Sequence, residues 1–258
     1  MKRWIRNSWV YLFLGLYLVS VGCNGDAEVE SEGQAPDEET LAMRPPEAPL
    51  PEEPPADPDP PRSPLLDPMS GEMNMMAPAS FQARFTTSKG TFVIEAYREW
   101  SPAGVDRFFN LVRHGFYDEA RFFRVLDGFM AQFGINGDPA IQRHWRGANI
   151  SDDSTVESNT RSRVTFAKSG APNSRSTQLF INFGDNGRLD RDGFSPIGEV
   201  VEGMDVVDQL YSGYGEAASS GRGSGPEQNL IQSRGNQYLK ADFPNLDYVE
   251  LAEIIDND

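Results

Sequence analysis

The sequence of 258 residues has a single cysteine and only two histidines. With Cys23 as the lone thiol, no disulfide can form within the chain, and thiol chemistry in a folded domain is excluded. His114 and His144 belong to no cluster with metal-ligand spacing, and no serine stands in the G-x-S-x-G context of a hydrolase. The glycines of GYGEAA (213–218) follow a predicted helix, whereas a dinucleotide fingerprint follows a strand. We therefore expect no cofactor and no metal.

The sequence also lacks a cluster of basic residues and an apolar run long enough to span a bilayer. The net charge is −16. Once the +3 of residues 1–23 and the −12 of residues 24–79 are set aside, residues 80–258 still carry −7. This charge argues against a nucleic-acid partner. The apolar run at 9–22 has 14 residues, fewer than the ~20 of a membrane-spanning helix, and after its basic start it is typical of a secretory signal.

The apolar run ends in SVGC, in which a small residue directly precedes Cys23. This arrangement resembles a bacterial lipoprotein cleavage site, although Ser20 stands where leucine is usual. Residues 1–23 are therefore predicted to be a lipoprotein signal peptide, with Cys23 as the lipidated residue. Ordinary signal cleavage that leaves a free thiol is the alternative. The expected location is outside the cytoplasm, anchored by lipid to a bacterial membrane on its periplasmic or cell-surface side.

Residues 24–79 have the composition of a linker. They contain 13 of the 19 prolines and 14 acidic residues, but only two arginines and no aromatic side chain. Such a segment buries too little apolar surface to offset the entropy of ordering it, and its like charges repel. The prediction is a disordered tether that is dispensable for folding.

The remaining residues, 80–258, show the patterns of one folded domain. Ser101 as cap, Pro102 in the first turn and Gly115 past the end predict a helix with a buried apolar stripe. Many short strands with two helices far apart favour a closed antiparallel barrel capped by helices. The predicted strands are 81–87, 91–97, 163–168, 178–183, 197–201 and 246–255, with a short helix at 202–211 and a Gly/Ser-rich loop at 212–225.

The stretch FFRVLDGFMAQFG (122–134) places Arg124 and Gln132 in an otherwise apolar run. One interpretation is an edge strand with one solvated face. The other is a pocket with an apolar floor and a few placed polar groups, as in most small binding sites. The pattern alone leaves both open.

Four stretches in order resemble the cyclophilin-type peptidyl-prolyl cis-trans isomerase family. They are the helix after the first hairpin, FFRVLDGFMAQFG, RVTFAKSG with STQLFINFGDN, and RLDRDGFSPIGEVVEGMDVVDQL. The resemblance implies a mainly β fold, a closed eight-stranded antiparallel barrel capped by two α-helices, and a monomer that binds proline-containing polypeptides. It implies Arg124 as the catalytic residue and, as substrate-binding residues, Phe129, Met130, Gln132, Ala167, Gln178, Phe180, Leu189 and Phe194.

The sequence departs from the family pattern at several positions. Phe123 and Phe194 stand where histidines are usual, which predicts a more apolar pocket rim. Arg188 stands where a tryptophan often contacts cyclosporin, and Lys168 replaces a common asparagine. The connection at 213–245 is longer than usual. Two functions fit: an isomerase acting on exported proteins, or a peptide-binding module with little turnover. The presence of Arg124 favours the isomerase, since a binder has less need of it.

Overall fold

The computed structural model describes residues 63–255. The predicted signal peptide, Cys23 and most of the predicted linker fall in residues 1–62, outside the described range, as do residues 256–258. Within 63–255, no helix combines the length and the apolar composition that crossing a membrane requires.

A single antiparallel sheet of eight strands forms the centre of the described region, and every strand predicted from the sequence is present in it. The strands are β1 Ser80–Thr87, β2 Gly90–Tyr97, β3 Arg124–Leu126, β4 Met130–Phe133, β5 Arg163–Phe166, β6 Leu179–Asn182, β7 Pro196–Glu202 and β8 Val249–Ile255. Their order across the sheet is β3-β4-β6-β5-β7-β2-β1-β8.

The prediction of a closed barrel is wrong, because the sheet curls into a half-barrel that stays open between β3 and β8. Just ahead of these two strands, Arg121 and Tyr248 form one isolated bridge, and the Phe122 N–H donates to the Asp247 carbonyl at 3.0 Å. Beyond that point no ladder joins β3 to β8 in the described residues. A twisted sheet closes into a barrel only when the tilt and the stagger of its strands bring the first and last strands into register, and otherwise its edges stay apart.

Helix α1, Pro102–Arg113, confirms the predicted helix, including its Pro102 start. Its N-terminus is capped differently from the prediction. The Ser101 side chain makes no capping bond to the helix; instead the Asp153 carboxylate accepts from the Gly104 N–H at 3.0 Å and from Ser101 Oγ at 2.6 Å. Asp153 also binds the buried Arg175 guanidinium at 2.9 Å. The cap therefore comes from a residue far along the chain.

Three more α-helices are present in residues 63–255, which makes four where the resemblance implied two. Two of them, α2 Pro139–Trp145 and α4 Gln228–Asp242, were not predicted, and α3 Met204–Val207 is shorter than the predicted 202–211. Helix α4 is kinked at Gly235, whose φ is +56°. A Cβ on Gly235 would collide with the backbone carbonyl of Gly137. Gly235 breaks the helical pattern in the sequence.

The linker prediction is wrong for residues 63–79, which pack on the domain. Leu65 and Met73 are buried in the main core, and the Trp145 indole N–H donates to the Leu65 carbonyl at 2.8 Å. From α1, the Asn110 amide donates to the Met75 carbonyl at 2.7 Å. A few apolar side chains that fit a matching surface anchor this segment, and average composition does not reveal such a fit.

Residues 212–246, which we call the insertion, form a second packed unit beside β3. The predicted loop at 212–225 is confirmed and is followed by α4. The insertion shares an apolar cluster with the domain whose buried members are Phe123, Ile135, Ile231, Tyr238, Leu239 and Leu246.

Candidate active site

Three predicted site residues form a row across neighbouring strands. Arg124 on β3 lies opposite Gln132 on β4, and Gln132 lies opposite Phe180 on β6. Residues directly opposite each other in an antiparallel sheet project from the same face. Both interpretations of FFRVLDGFMAQFG are therefore combined: β3 is an edge strand of the sheet, and its arginine belongs to a site on one face.

The Arg124 guanidinium is held on the sheet side by the polar members of the predicted set. Its Nη1 donates to Gln132 Oε1 at 3.1 Å and lies 3.8 Å from Met130 Sδ. Gln132 Nε2 in turn donates to Gln178 Oε1 at 2.9 Å. The chain of bonds from Arg124 to Gln178 links β3, β4 and the start of β6, so the arginine is oriented by side chains of the sheet.

On the other side, Arg124 is bound by Glu216 of the insertion. Nε donates to Oε2 and Nη2 donates to Oε1, each at 2.7 Å, in a bidentate pair. The side chains are 23% and 25% exposed, so water reaches the pair only in part. The hydrogen bond from Arg124 holds the pKa of Glu216 below its usual range, against the effect of burial. Glu216 is therefore an ionised partner of the predicted catalytic residue at neutral pH.

The apolar members of the predicted set lie around this row. Met130 and Phe180 are buried, and the rings of Phe180 and Phe194 meet edge to face with centroids 5.9 Å apart. Leu189 lies in the 3₁₀ turn Gly187–Asp192, and its carbonyl accepts from the Phe194 N–H at 3.3 Å. The Ala167 N–H donates to the Gln178 carbonyl at 2.8 Å. These contacts bring the predicted socket to the end of the row.

Phe129 is stacked by cations. The Arg188 guanidinium lies 4.8 Å from the centre of its ring, and that of Arg124 lies 5.8 Å away. The Phe129 carbonyl accepts from Asn186 Nδ2 at 2.8 Å, which ties this residue to the turn that carries Arg188. Arg188 itself is exposed and close to the socket.

The expectation of an apolar rim is wrong at Phe123. Its side chain is 3% exposed and belongs to the apolar cluster that the domain shares with the insertion, which also contains Ile231 and Tyr238. Phe194 is half-buried, and the Lys168 ammonium lies 5.7 Å from its ring. Phe194 therefore remains a candidate for the rim, and the ammonium group of Lys168 lies next to its ring.

Glu216 was not among the predicted site residues. It lies 92 positions from Arg124 in a glycine-rich stretch with no periodic pattern. No local signal in the sequence relates the two positions. Among residues 63–255, no group of three His, Cys, Asp or Glu side chains is placed to hold a metal ion.

Comparison with known proteins relates this chain to one family. The family model described as cyclophilin type peptidyl-prolyl cis-trans isomerase matches residues 82–231. Peptidyl-prolyl cis-trans isomerase B of Escherichia coli (strain K12) is 36% identical over 134 residues, which cover 49% of this chain and 81% of the relative. A peptidyl-prolyl cis-trans isomerase of Acinetobacter baylyi is 32% identical over 137 residues, 51% of this chain and 72% of the relative.

Solved structures agree on the fold. The crystal structure of a Cryptosporidium parvum cyclophilin type peptidyl-prolyl cis-trans isomerase aligns with a TM-score of 0.52 at 18% identity, covering 69% of this chain and 99% of that one. The chain belongs to the cyclophilin-type peptidyl-prolyl cis-trans isomerase family.

Proposed function

We propose that this chain accelerates rotation about X-Pro bonds in exported proteins, with Arg124 as the catalytic residue. Conjugation between nitrogen and carbonyl holds an X-Pro amide planar, and rotation faces a barrier of about 18–20 kcal/mol. The barrier falls when the prolyl nitrogen lone pair is localised. A donor aimed at that nitrogen stabilises the twisted amide more than the planar one, which is the requirement for catalysis.

The observation that carries this proposal is the row of Arg124, Gln132 and Phe180 across three strands. A guanidinium is always charged, and its planar fork can address the nitrogen and the carbonyl of one proline together. In the proposed complex, Phe129, Met130, Phe180, Leu189 and Phe194 enclose the proline ring, while Gln132, Gln178 and Ala167 contact the peptide. This chemistry needs neither a nucleophile nor a proton carrier.

The test is isomerisation of an Ala-Pro peptide by the wild-type chain, measured by exchange NMR at neutral pH. We expect exchange between cis and trans signals at catalytic concentrations of protein. Exchange no faster than in buffer would contradict the proposal.

A peptide-binding module with little turnover is the second candidate. The observation that favours it is the Glu216 pair, which occupies two donors of Arg124. If this candidate is correct, titration shows that the peptide binds, while its rate of cis-trans exchange stays at the value in buffer. Affinity and exchange measured on the same sample therefore separate the two functions.

Lipid anchoring at Cys23 and a monomeric state complete the proposal. The SVGC sequence after a basic start and a short apolar run supports anchoring, and more than one acyl chain is needed for stable membrane binding. Mass spectrometry of the wild type should find a lipidated Cys23, and Cys23→Ser protein should leave the membrane fraction. An unmodified thiol in the wild type would contradict this part. Sedimentation of the soluble domain tests whether the protein is a monomer.

We also propose weak inhibition by cyclosporin, because Arg188 stands where the resemblance places a tryptophan. An exposed guanidinium over Phe129 does not replace the contacts of an indole. Titration should show inhibition weaker than nanomolar, and Arg188→Trp should raise the affinity.

A further inference from the structure

The contact between the insertion and the sheet has a consequence for the reaction. We propose that Glu216 is a positioning residue that fixes the orientation of the Arg124 guanidinium during X-Pro rotation. This inference rests on the proposed function, and it assigns to the insertion a role in that function.

The geometry of the pair restrains Arg124 on two edges. A guanidinium has five N–H donors in a plane. Glu216 takes one on Nε and one on Nη2, and Gln132 takes one on Nη1. Bidentate pairs fix the plane of the guanidinium as well as its position. Nη1 also lies 3.8 Å from Met130 Sδ, so among the described residues only the second N–H of Nη2 is left without an acceptor, and this is the donor that a prolyl amide would meet.

The backbone of Glu216 is itself held in place. Its carbonyl accepts from the Gly225 N–H at 2.7 Å, and Ala217 forms a bridge with Gly225. Gly223 packs so closely on Glu216 that a Cβ would collide with the Glu216 backbone. A carboxylate on such a fixed loop is preorganised, since little conformational entropy is lost when it binds the arginine.

The loop is attached to the domain next to Arg124. Phe123, the neighbour of Arg124, is buried in the same apolar cluster as Ile231 and Tyr238 of α4. At the other end of the loop, the Glu227 carboxylate accepts from the Ser219 N–H and hydroxyl at 2.7 Å each. The insertion therefore packs on the strand whose arginine it binds, and movement of one is coupled to the other.

A blocking role is the alternative, in which Glu216 competes with the substrate for Arg124. The observed contacts favour positioning, because the Glu216 and Gln132 bonds are compatible with each other and leave a donor on Nη2. A free arginine side chain loses considerable rotamer entropy when it is ordered. Glu216 removes that freedom before the substrate arrives.

The test compares Glu216→Gln with Asp208→Asn in the full chain. Asp208 forms an equally bidentate pair with Arg161, at 3.0 and 2.6 Å, and both side chains are exposed and outside the predicted set of site residues. Because Glu216→Gln loses a charge-assisted hydrogen bond, we expect it to lower kcat by about tenfold or more while KM changes less than twofold. Asp208→Asn should leave both parameters unchanged. Glu216→Asp, which keeps the charge, should recover part of kcat.

A spectroscopic readout follows the pair directly. The Nε–H of Arg124 should give a slowly exchanging NMR signal in the wild type and in Asp208→Asn, and should lose this protection in Glu216→Gln. A merely structural role of Glu216 would lower the melting temperature without changing kcat at temperatures far below melting.

Three outcomes would overturn the inference. Glu216→Gln activity equal to the wild type would remove the positioning role alone, and activity above the wild type would establish blocking instead. A wild type with no turnover would remove the proposed function together with the inference, even if the Arg124 signal is protected.

Discussion

Residues 63–79 and the insertion at 212–246 both pack on the domain, but they contact different parts of it. The first segment places Leu65 and Met73 in the main core and bonds to α1 and α2. The insertion builds its own apolar cluster on Phe123 and directs a carboxylate to Arg124. The comparison teaches that segments attached to one sheet can make different kinds of contact: one adds to the core, and the other reaches Arg124, the proposed catalytic residue.

The two segments also differ in the type of interaction that holds them. Residues 63–79 are fixed by burial of apolar side chains together with backbone hydrogen bonds. The insertion adds a partly buried ion pair, whose loss leaves a charge without its partner. Changes in the first segment should therefore alter the free energy of unfolding, and changes in the second should alter catalysis as well.

The largest effect is expected from removing Arg124, the residue that the insertion contacts. Arg124→Ala should lower kcat/KM by about 10²–10³-fold, the effect of losing one preorganised donor to a transition state. Peptide affinity should fall much less, since the apolar socket remains. Arg124→Lys should recover little, because a point charge cannot reproduce the fork. Exchange NMR and titration measure the two quantities.

Arg84→Ala is the matched control for that substitution. Arg84 pairs with Glu253 on the exposed side of β1 and β8, where both side chains are 45% exposed. Its removal should change neither rate nor affinity. A rate loss like that of Arg124→Ala would mean that arginine removal acts through the fold.

The next effect concerns stability in residues 63–79. Met73 is 1% exposed, and Met73→Ala should lower the free energy of unfolding by about 3 kcal/mol, within the range for large-to-small core substitutions. Met69, four residues earlier and 83% exposed, provides the control, and Met69→Ala should leave stability unchanged. Denaturant unfolding measures both. Well below the melting temperature, kcat should be unaltered in each variant, and a selective loss of kcat in Met73→Ala would break the comparison.

The smallest effect is expected inside the insertion. Ile231→Val removes one buried methylene group from the second apolar cluster and should cost about 1 kcal/mol. Because the insertion packs as a unit, local opening should become more frequent there. Hydrogen exchange of the Gly225 amide, which bonds to Glu216, should accelerate in Ile231→Val and stay unchanged in Met73→Ala. Equal acceleration in both would show that the two segments open together.

The sequence by itself determined the strands, the first helix and the sheet face of the site. Alternation located the strands, and Pro102 with the apolar stripe of α1 located the first helix. FFRVLDGFMAQFG placed Arg124 and Gln132 together because its two strands are sequential, so their pairing is a local property of the chain. Phe180 followed from the family motif on β6.

Only the tertiary structure decided the open edge of the sheet, the packing of residues 63–79 and the partner of Arg124. Each depends on surfaces that are far apart in sequence. Composition averages over a segment, so three buried side chains between prolines left no signal, and Gly235 hid α4 by breaking its period. Glu216 meets Arg124 where Phe123 and α4 share one apolar cluster, and a contact across 92 positions depends on tertiary packing, which no local pattern records.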